Sequence, residues 1–409
     1  MLKKIKIAIF LICVAALGGC SQGYYDDLPA FKYYTQCNKE VFGTGITFRA
    51  AVRGGDESGA LKEMLALMED INSEMSLTLS GSAISRFNAL GSDGTDEYLN
   101  EKVEISESAY ALIEKSVQYC KDTEGAFNIA VYPLAELWNV HTEGLNKYSM
   151  CLPSEAPSPP QADEVKKVAS HCEPSNLHLE SSNGKYYISK SEPNLKIDLG
   201  AVAKGFAADE CIKIAKSHGV ESALINISGN ICVLGEWYHP EKRKYVRWAV
   251  GVTSPRPRGG LGGDMCALSV PADKTLVTSG DYVRYYETIV NGELMCVPHI
   301  VNSNTGLPLG IEFDGDGYKA LTGHIVSATL VCEDSSKADA YATAVCLMEP
   351  NRAVEFLKAR GINGVLVTQD GRMLLVGITE SDESGEEYFI QKDNYSAYKK
   401  YSVEEFSVG

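Results

Sequence analysis

Three short segments carry the side chains best suited to chemistry. In Asp198-Leu199-Gly200-Ala201-Val202-Ala203-Lys204-Gly205 an acid, a lysine and two glycines sit where an apolar strand pattern gives way to a helical one. Such a turn exposes free backbone N–H groups and the positive end of a helix dipole, which suits a phosphate, and Lys204 adds a point charge. The spacing is neither a P-loop nor GxGxxG, so a purely structural turn stays open. In Asp339-Ala340-Tyr341-Ala342-Thr343 the acid and the hydroxyl are four residues apart and share a helix face. Two hard oxygens are too few for a calcium cage but suit magnesium, which keeps waters and takes ligands from a phosphate. The alternative is an N-cap aspartate followed by a helical threonine. The third segment is Pro298-His299-Ile300-Val301-Asn302-Ser303-Asn304-Thr305-Gly306, where a strand meets a turn. His299 there is either a general base or a structural histidine.

The elements that must position these groups follow from periodicity. Leu61, Met64, Leu65, Met68 and Ile71 have helical spacing, as do Leu112, Ile113, Val117 and Cys120, with Gly125 in a stop position. Prolines 153, 157, 159 and 160 make 152–162 a surface loop. Strands are expected at 186–189, 195–199, 223–227, 248–253 and 275–278, with a helix over 203–218 stopped by Gly219. Asn291-Gly292 bridges 285–290 and 295–300 as a hairpin, and helix 351–360 leads to strands 365–368 and 373–376 around Asp370-Gly371. Hairpins mixed with separated helices indicate an α+β or mixed α/β fold.

The 409 residues carry 38 basic and 54 acidic side chains, a formal charge of −16. With no local basic patch, that charge argues against a nucleic-acid partner. Lys3, Lys4 and Lys6 precede an apolar run over 7–17 that ends in Gly18-Gly19-Cys20. At about 1.5 Å per residue the run is too short to span a hydrocarbon core of roughly 30 Å. It reads as a secretory signal over 1–19. Leu17-Gly18-Gly19-Cys20 is similar to the bacterial lipobox, which makes Cys20 a lipid anchor and 20–40 a tether. Ten further cysteines in an oxidising compartment permit pairing, with Cys151 and Cys172 around the proline-rich stretch as the first candidate pair. No CxxC occurs, so zinc and thioredoxin-like readings lack support.

Taken with Ile84-Ser85-Arg86-Phe87-Asn88, Gly125-Ala126-Phe127-Asn128-Ile129, Pro133-Leu134, the Asn226 to Gly229 turn and Ser279-Gly280-Asp281-Tyr282, the three chemical segments resemble a known family in order and spacing. The chain is similar to the FAD:protein FMN transferases, ApbE-type lipoproteins, over about residues 40–385. The resemblance implies an ApbE-like flavin transferase domain over 41–390 followed by a tail at 391–409. It implies a reaction in which FAD, with magnesium, gives its FMN half to a threonine or serine hydroxyl of an acceptor protein and releases AMP. The metal ligands then match Ala201 (through its carbonyl), Asp339 and Thr343, and the base matches His299. Asp198, Lys204, Val301, Ala126, Phe127, Asn128 and Phe42 match positions lining the FAD site. Thr78 falls where the family often carries an aromatic that stacks on the isoalloxazine, whereas Ser76-Leu77-Thr78-Leu79 offers none.

Two further departures are Asn128 in place of the family's aspartate and Asn302-Ser303 in place of Asp-Pro, both removing negative charge near the nucleotide. Acceptors in the family are subunits of membrane redox complexes with a Ser/Thr-Gly-Ala-Ser/Thr motif, at the outer face of the inner membrane. That favours the inner membrane, periplasmic side, although Ser21 after the lipid-bearing cysteine also permits export to an outer membrane. Hydrolysis of FAD to FMN and AMP, and non-catalytic flavin binding, are the alternative readings.

Overall fold

The computed structural model describes residues 32–38, 46–92, 94–239, 244–259, 261–380, 388, 390–392 and 395–408. Cys20 and Phe42 lie outside the described residues.

The central element is a nine-stranded sheet whose spatial order follows the chain. Its strands are β1 (Lys32–Asn38), β2 (Ile46–Arg53), β3 (Ser222–Ile227), β4 (Asn230–Leu234), β5 (Thr275–Gly280), β6 (Ile325–Cys332), β7 (Asn363–Thr368), β8 (Arg372–Val376) and β9 (Ser402–Phe406). Neighbours are antiparallel from β1 to β8, and β9 joins β8 in parallel. The region expected to be a tail therefore supplies an edge strand. Alternation along the strands sends alternate residues to opposite faces. Leu366, Leu374 and Val376 join the helix-side core, while Val365, Val367, Met373 and Leu375 face a second core with Trp248 and Leu268.

The helix layer includes α1 (Glu57–Met75), α2 (Ala83–Ala89), α3 (Glu107–Asp122), α4 (Tyr132–Leu137), α5 (Thr142–Tyr148), α6 (Ala162–Ala169), α7 (Ala203–Ser217), α8 (Ser335–Cys346) and α9 (Pro350–Lys358). In α1 the buried face is Ala60, Met64, Met68, Ile71 and Met75, the stripe read from the spacing. Helices α7 and α8 approach so closely that a Cβ on Gly205 would lie 2.2 Å from the Ser335 carbonyl oxygen. From α7, Asp209 accepts the Ser335 and Ser336 N–H groups at 2.8 and 3.0 Å, satisfying orphan donors at the start of α8. These contacts fix the axial register of α8 against α7, and with it the position of Asp339.

The hairpin Tyr285–Val290/Glu293–Pro298 turns through Asn291 and Gly292, both with positive φ, as a two-residue turn requires. Its second strand begins and ends two residues before the expected one, because the turn sets the register. The expected strand at 195–199 is absent. Its backbone is held instead by a side chain: Asn88 in α2 donates to the Ile197 carbonyl at 2.9 Å and accepts the Ile197 N–H at 2.8 Å. Asp198 N–H bonds to the Ile129 carbonyl at 2.7 Å. The proline-rich loop is pinned through two of its carbonyls, Pro157 by Thr288 Oγ1 and Pro160 by the Tyr318 hydroxyl.

The Cys151–Cys172 pairing does not form. Both thiols are free and donate instead to local carbonyls, Cys151 to Tyr148 and Cys172 to Val168. Burial pushes the Cys172 thiol up to about 12, which leaves it protonated and inert. Among the described residues no helix is long and apolar enough to cross a membrane.

Candidate active site

A cleft of about 500 Å³ lies where α7, α8, the end of β5, the base of the 285–298 hairpin and α5 meet. This is the size of an ordinary small-molecule site, roughly 300–1,000 Å³. Ten of the residues proposed from the sequence line it: Ala126, Phe127, Asn128, Asp198, Ala201, Lys204, His299, Val301, Asp339 and Thr343. Thr78 does not. It is exposed in a bend where Ser76 Oγ accepts the Thr78 and Leu79 N–H groups.

Asp339 is 2% exposed and lies in the second turn of α8, whose N-cap is Asp334. The capping reading of Asp339 is therefore excluded. One of its oxygens, Oδ2, accepts the Gly205 N–H at 3.1 Å and lies 3.4 Å from Lys204 Nζ. Because Gly205 N–H is diverted to that carboxylate, no backbone N–H among the described residues bonds to the Ala201 carbonyl. Thr343 Oγ1 donates to the Asp339 carbonyl at 3.2 Å and lies 3.2 Å from Ser279 Oγ. A carboxylate, a hydroxyl and a carbonyl with no partner among the described residues thus line the same cleft, a donor set that fits a hard cation. Among the described residues no cluster of three or more His, Cys, Asp or Glu side chains forms. The donor set suits magnesium sharing its shell with waters and phosphate.

His299 is half-buried at the base of the hairpin. Its Nδ1 lies 3.1 Å from the Arg284 carbonyl, which also accepts the His299 N–H at 3.1 Å. A carbonyl can only accept, so Nδ1 carries the proton and Nε2 keeps its lone pair. Burial, with the charges of Arg284 and Lys204, pushes the imidazole down to about 3. The ring is neutral at physiological pH, and the negative charge of a bound pyrophosphate, by offsetting Arg284 and Lys204, would raise its basicity toward the range a general base needs. The hairpin that carries it is anchored by buried aromatics: the Tyr286 hydroxyl donates to the Trp138 carbonyl, and Trp138 Nε1 donates to the Gly306 carbonyl.

Asn128 does not aim its amide at the cleft alone. Nδ2 donates to Ser303 Oγ at 2.9 Å and to the Cys172 carbonyl at 2.8 Å, while Oδ1 accepts the Ala130 N–H. Ser303 Oγ donates onward to the Gly125 carbonyl. The two departures from the family pattern are therefore one hydrogen bond, and an aspartate at 128 lacks the donor it needs. Asp198 Oδ1 accepts the Gly200 N–H at 2.7 Å, and Lys204 Nζ donates to the Gly200 carbonyl at 2.5 Å, shaping the turn before α7.

Tyr282, the last residue of the Ser279-Gly280-Asp281-Tyr282 motif, lines the cleft as well, and sequence reasoning missed Arg284 and Tyr285, which do so too. They follow directly on Ser279-Gly280-Asp281-Tyr282, but only the hairpin brings Arg284 beside His299. It also missed why Asn88 matters, since nothing local shows that its amide holds the strand-like segment before Asp198.

A neutral base, two cationic side chains, a helix N-terminus and a hard-oxygen donor set in one cleft define a site for phosphoryl chemistry. The chain belongs to the ApbE family, whose model matches residues 42–366. It is 26% identical over 321 residues, 77% of this chain and 78% of the relative, to the FAD:protein FMN transferase of Treponema pallidum (strain Nichols). It is 25% identical over 333 residues, 80% and 82%, to the FAD:protein FMN transferase of Escherichia coli (strain K12). The fold is that of the ApbE protein from Thermotoga maritima, with a TM-score of 0.64 at 24% identity over 84% of this chain and 96% of that one.

Proposed function

We propose that this protein is a magnesium-dependent FAD:protein FMN transferase, which moves FMN from FAD to a threonine or serine hydroxyl of an acceptor protein and releases AMP. The observation that carries the reading is His299 Nε2, a base nitrogen with no partner among the described residues, in the same cleft as Asp339, Thr343 and the Ala201 carbonyl, which is likewise unengaged among them. Family membership and the activity named for the relatives support it. The acceptor hydroxyl oxygen forms a bond to the phosphorus next to riboflavin, its proton passes to His299 Nε2, and the bridging P–O bond breaks with the electron pair leaving on AMP. General-base help of this kind is worth about 10²–10⁴-fold. Asp339, Thr343 and Ala201 would hold magnesium, which supplies charge neutralisation on the pyrophosphate. Lys204 and the N-terminus of α7 add positive potential in the same cleft.

The acceptor is a subunit of a membrane redox complex with a Ser/Thr-Gly-Ala-Ser/Thr motif. Cys20 carries a lipid that keeps the enzyme on the periplasmic face of the inner membrane, within reach of that subunit.

The test incubates the mature protein with FAD, magnesium and a candidate acceptor, following acceptor mass and nucleotides together. A gain equal to FMN with release of AMP is expected, and Asp339→Ala abolishes it while costing about 1–3 kcal/mol of stability through the orphaned Gly205 N–H and Lys204. FMN and AMP with an unmodified acceptor would assign water to the attack position. Unconsumed FAD would overturn the enzymatic reading.

A further inference from the structure

Arg284 stands out among the charged groups of the described residues. Arg53, Arg256, Arg258 and Arg352 are each held by a carboxylate. The Arg284 guanidinium, half-buried along the cleft, makes no hydrogen bond or ion pair among the described residues. Burial disfavours its charged form and only the more distant charge of Asp198 opposes that. A guanidinium stays ionised nonetheless, so its fork of N–H donors faces the cleft uncompensated. Such a group is completed by an anion from outside the protein, and its planar geometry matches two oxygens of one phosphate.

Its backbone fixes what that anion must be close to. The Arg284 carbonyl holds both the N–H and Nδ1 of His299, so the guanidinium and the base project from adjoining points at the foot of one hairpin. Lys204, by contrast, is already engaged by the Gly200 carbonyl and Asp339.

We propose that Arg284 is a substrate-contacting residue that grips the phosphate of a pyrophosphate-linked nucleotide and presents the phosphorus nearest the flavin to His299, a role that rests on the transferase reading. As the acceptor hydroxyl bonds to phosphorus and the bridging bond breaks, negative charge moves toward the leaving phosphate, and the guanidinium stabilises it without proton transfer.

The test titrates wild type, Arg284→Gln and Arg284→Lys of the mature protein with FAD, riboflavin and ADP by calorimetry in magnesium-containing buffer. Arg284→Gln is expected to weaken FAD and ADP binding at least tenfold, to leave riboflavin binding within twofold, and to melt like wild type, since no protein partner is lost. Arg284→Lys recovers part of the loss, because a point charge replaces a bidentate fork. FAD and ADP binding unchanged in Arg284→Gln, or FAD and riboflavin weakened alike, would overturn the proposal. If wild type binds ADP but no flavin, the transferase reading fails, and the ADP arm alone still decides whether Arg284 holds phosphate.

Discussion

Replacing His299 by alanine separates catalysis from binding. The imidazole makes one side-chain hydrogen bond, from Nδ1 to the Arg284 carbonyl, and that carbonyl keeps the backbone N–H of residue 299 after the change. The loss in stability is therefore one net hydrogen bond, about 0.5–1.5 kcal/mol, and the hairpin base stays in place. A neutral ring contributes little to anion binding, so FAD affinity is expected within about threefold of wild type. The transfer step loses its base, a factor of about 10²–10⁴, or about 3–5.5 kcal/mol of barrier. Single-turnover transfer at saturating FAD, read by acceptor mass, measures the chemical step, and flavin fluorescence measures affinity. A transfer rate within fivefold of wild type would remove His299 from the mechanism. The pH profile gives an independent reading. Because the folded imidazole is pushed down to about 3, the base remains unprotonated as pH falls, and kcat/KM, which reports the free enzyme, shows no acid limb near 6.5. The unfolded chain protonates this residue near 6.5 and the folded one only near 3, so its contribution to stability is complete above 6.5 and is lost as pH falls toward 3. The alanine variant should lose less stability than wild type between pH 7 and 4, and equal slopes would contradict the burial argument.

Two other perturbations test the scaffold. Asp281, 1% exposed, is pushed up by burial but held at about 2 by His324, Arg256 and Arg258, so its stabilisation is present above the unfolded carboxylate value near 3.9 and is lost as pH falls toward 2. Asp281→Asn should cost about 3–5 kcal/mol at pH 7 by stranding two arginines and should flatten stability between pH 4 and 2, whereas chemical denaturation showing less than 1 kcal/mol would mean the network is idle. Gly205→Ala should cost about 1–3 kcal/mol, because its Cβ meets the Ser335 backbone and forces α7 from α8, and should weaken magnesium-dependent transfer by moving Asp339. An unshifted denaturation midpoint would show that the two helices separate freely.

How much of this was legible follows from the range of each interaction. Helix α1, the helix at 203–217 and the Asn291-Gly292 turn are written in spacing and turn chemistry that act within a few residues, so the sequence located them closely. The ten cleft residues were found because they travel in short motifs with a family resemblance. The strand expected at 195–199 failed because an extended apolar run reads the same whether a strand or the Asn88 amide, 109 residues away, satisfies its backbone.

The sequence by itself determined the helix and hairpin framework, the acidic surface and the identity of the chemical groups, because periodicity, φ preference and side-chain type are local properties. Tertiary structure alone decided that Asp339 lies in a helix interior, that Gly205 yields its N–H and frees the Ala201 carbonyl, and that Asn128 bonds to Ser303 across 175 residues. It also left Cys151 and Cys172 apart and Arg284 without a partner among the described residues. The physical reason is that a donor or a charge is satisfied by whatever packing brings within about 3 Å, and packing is a property of the whole chain.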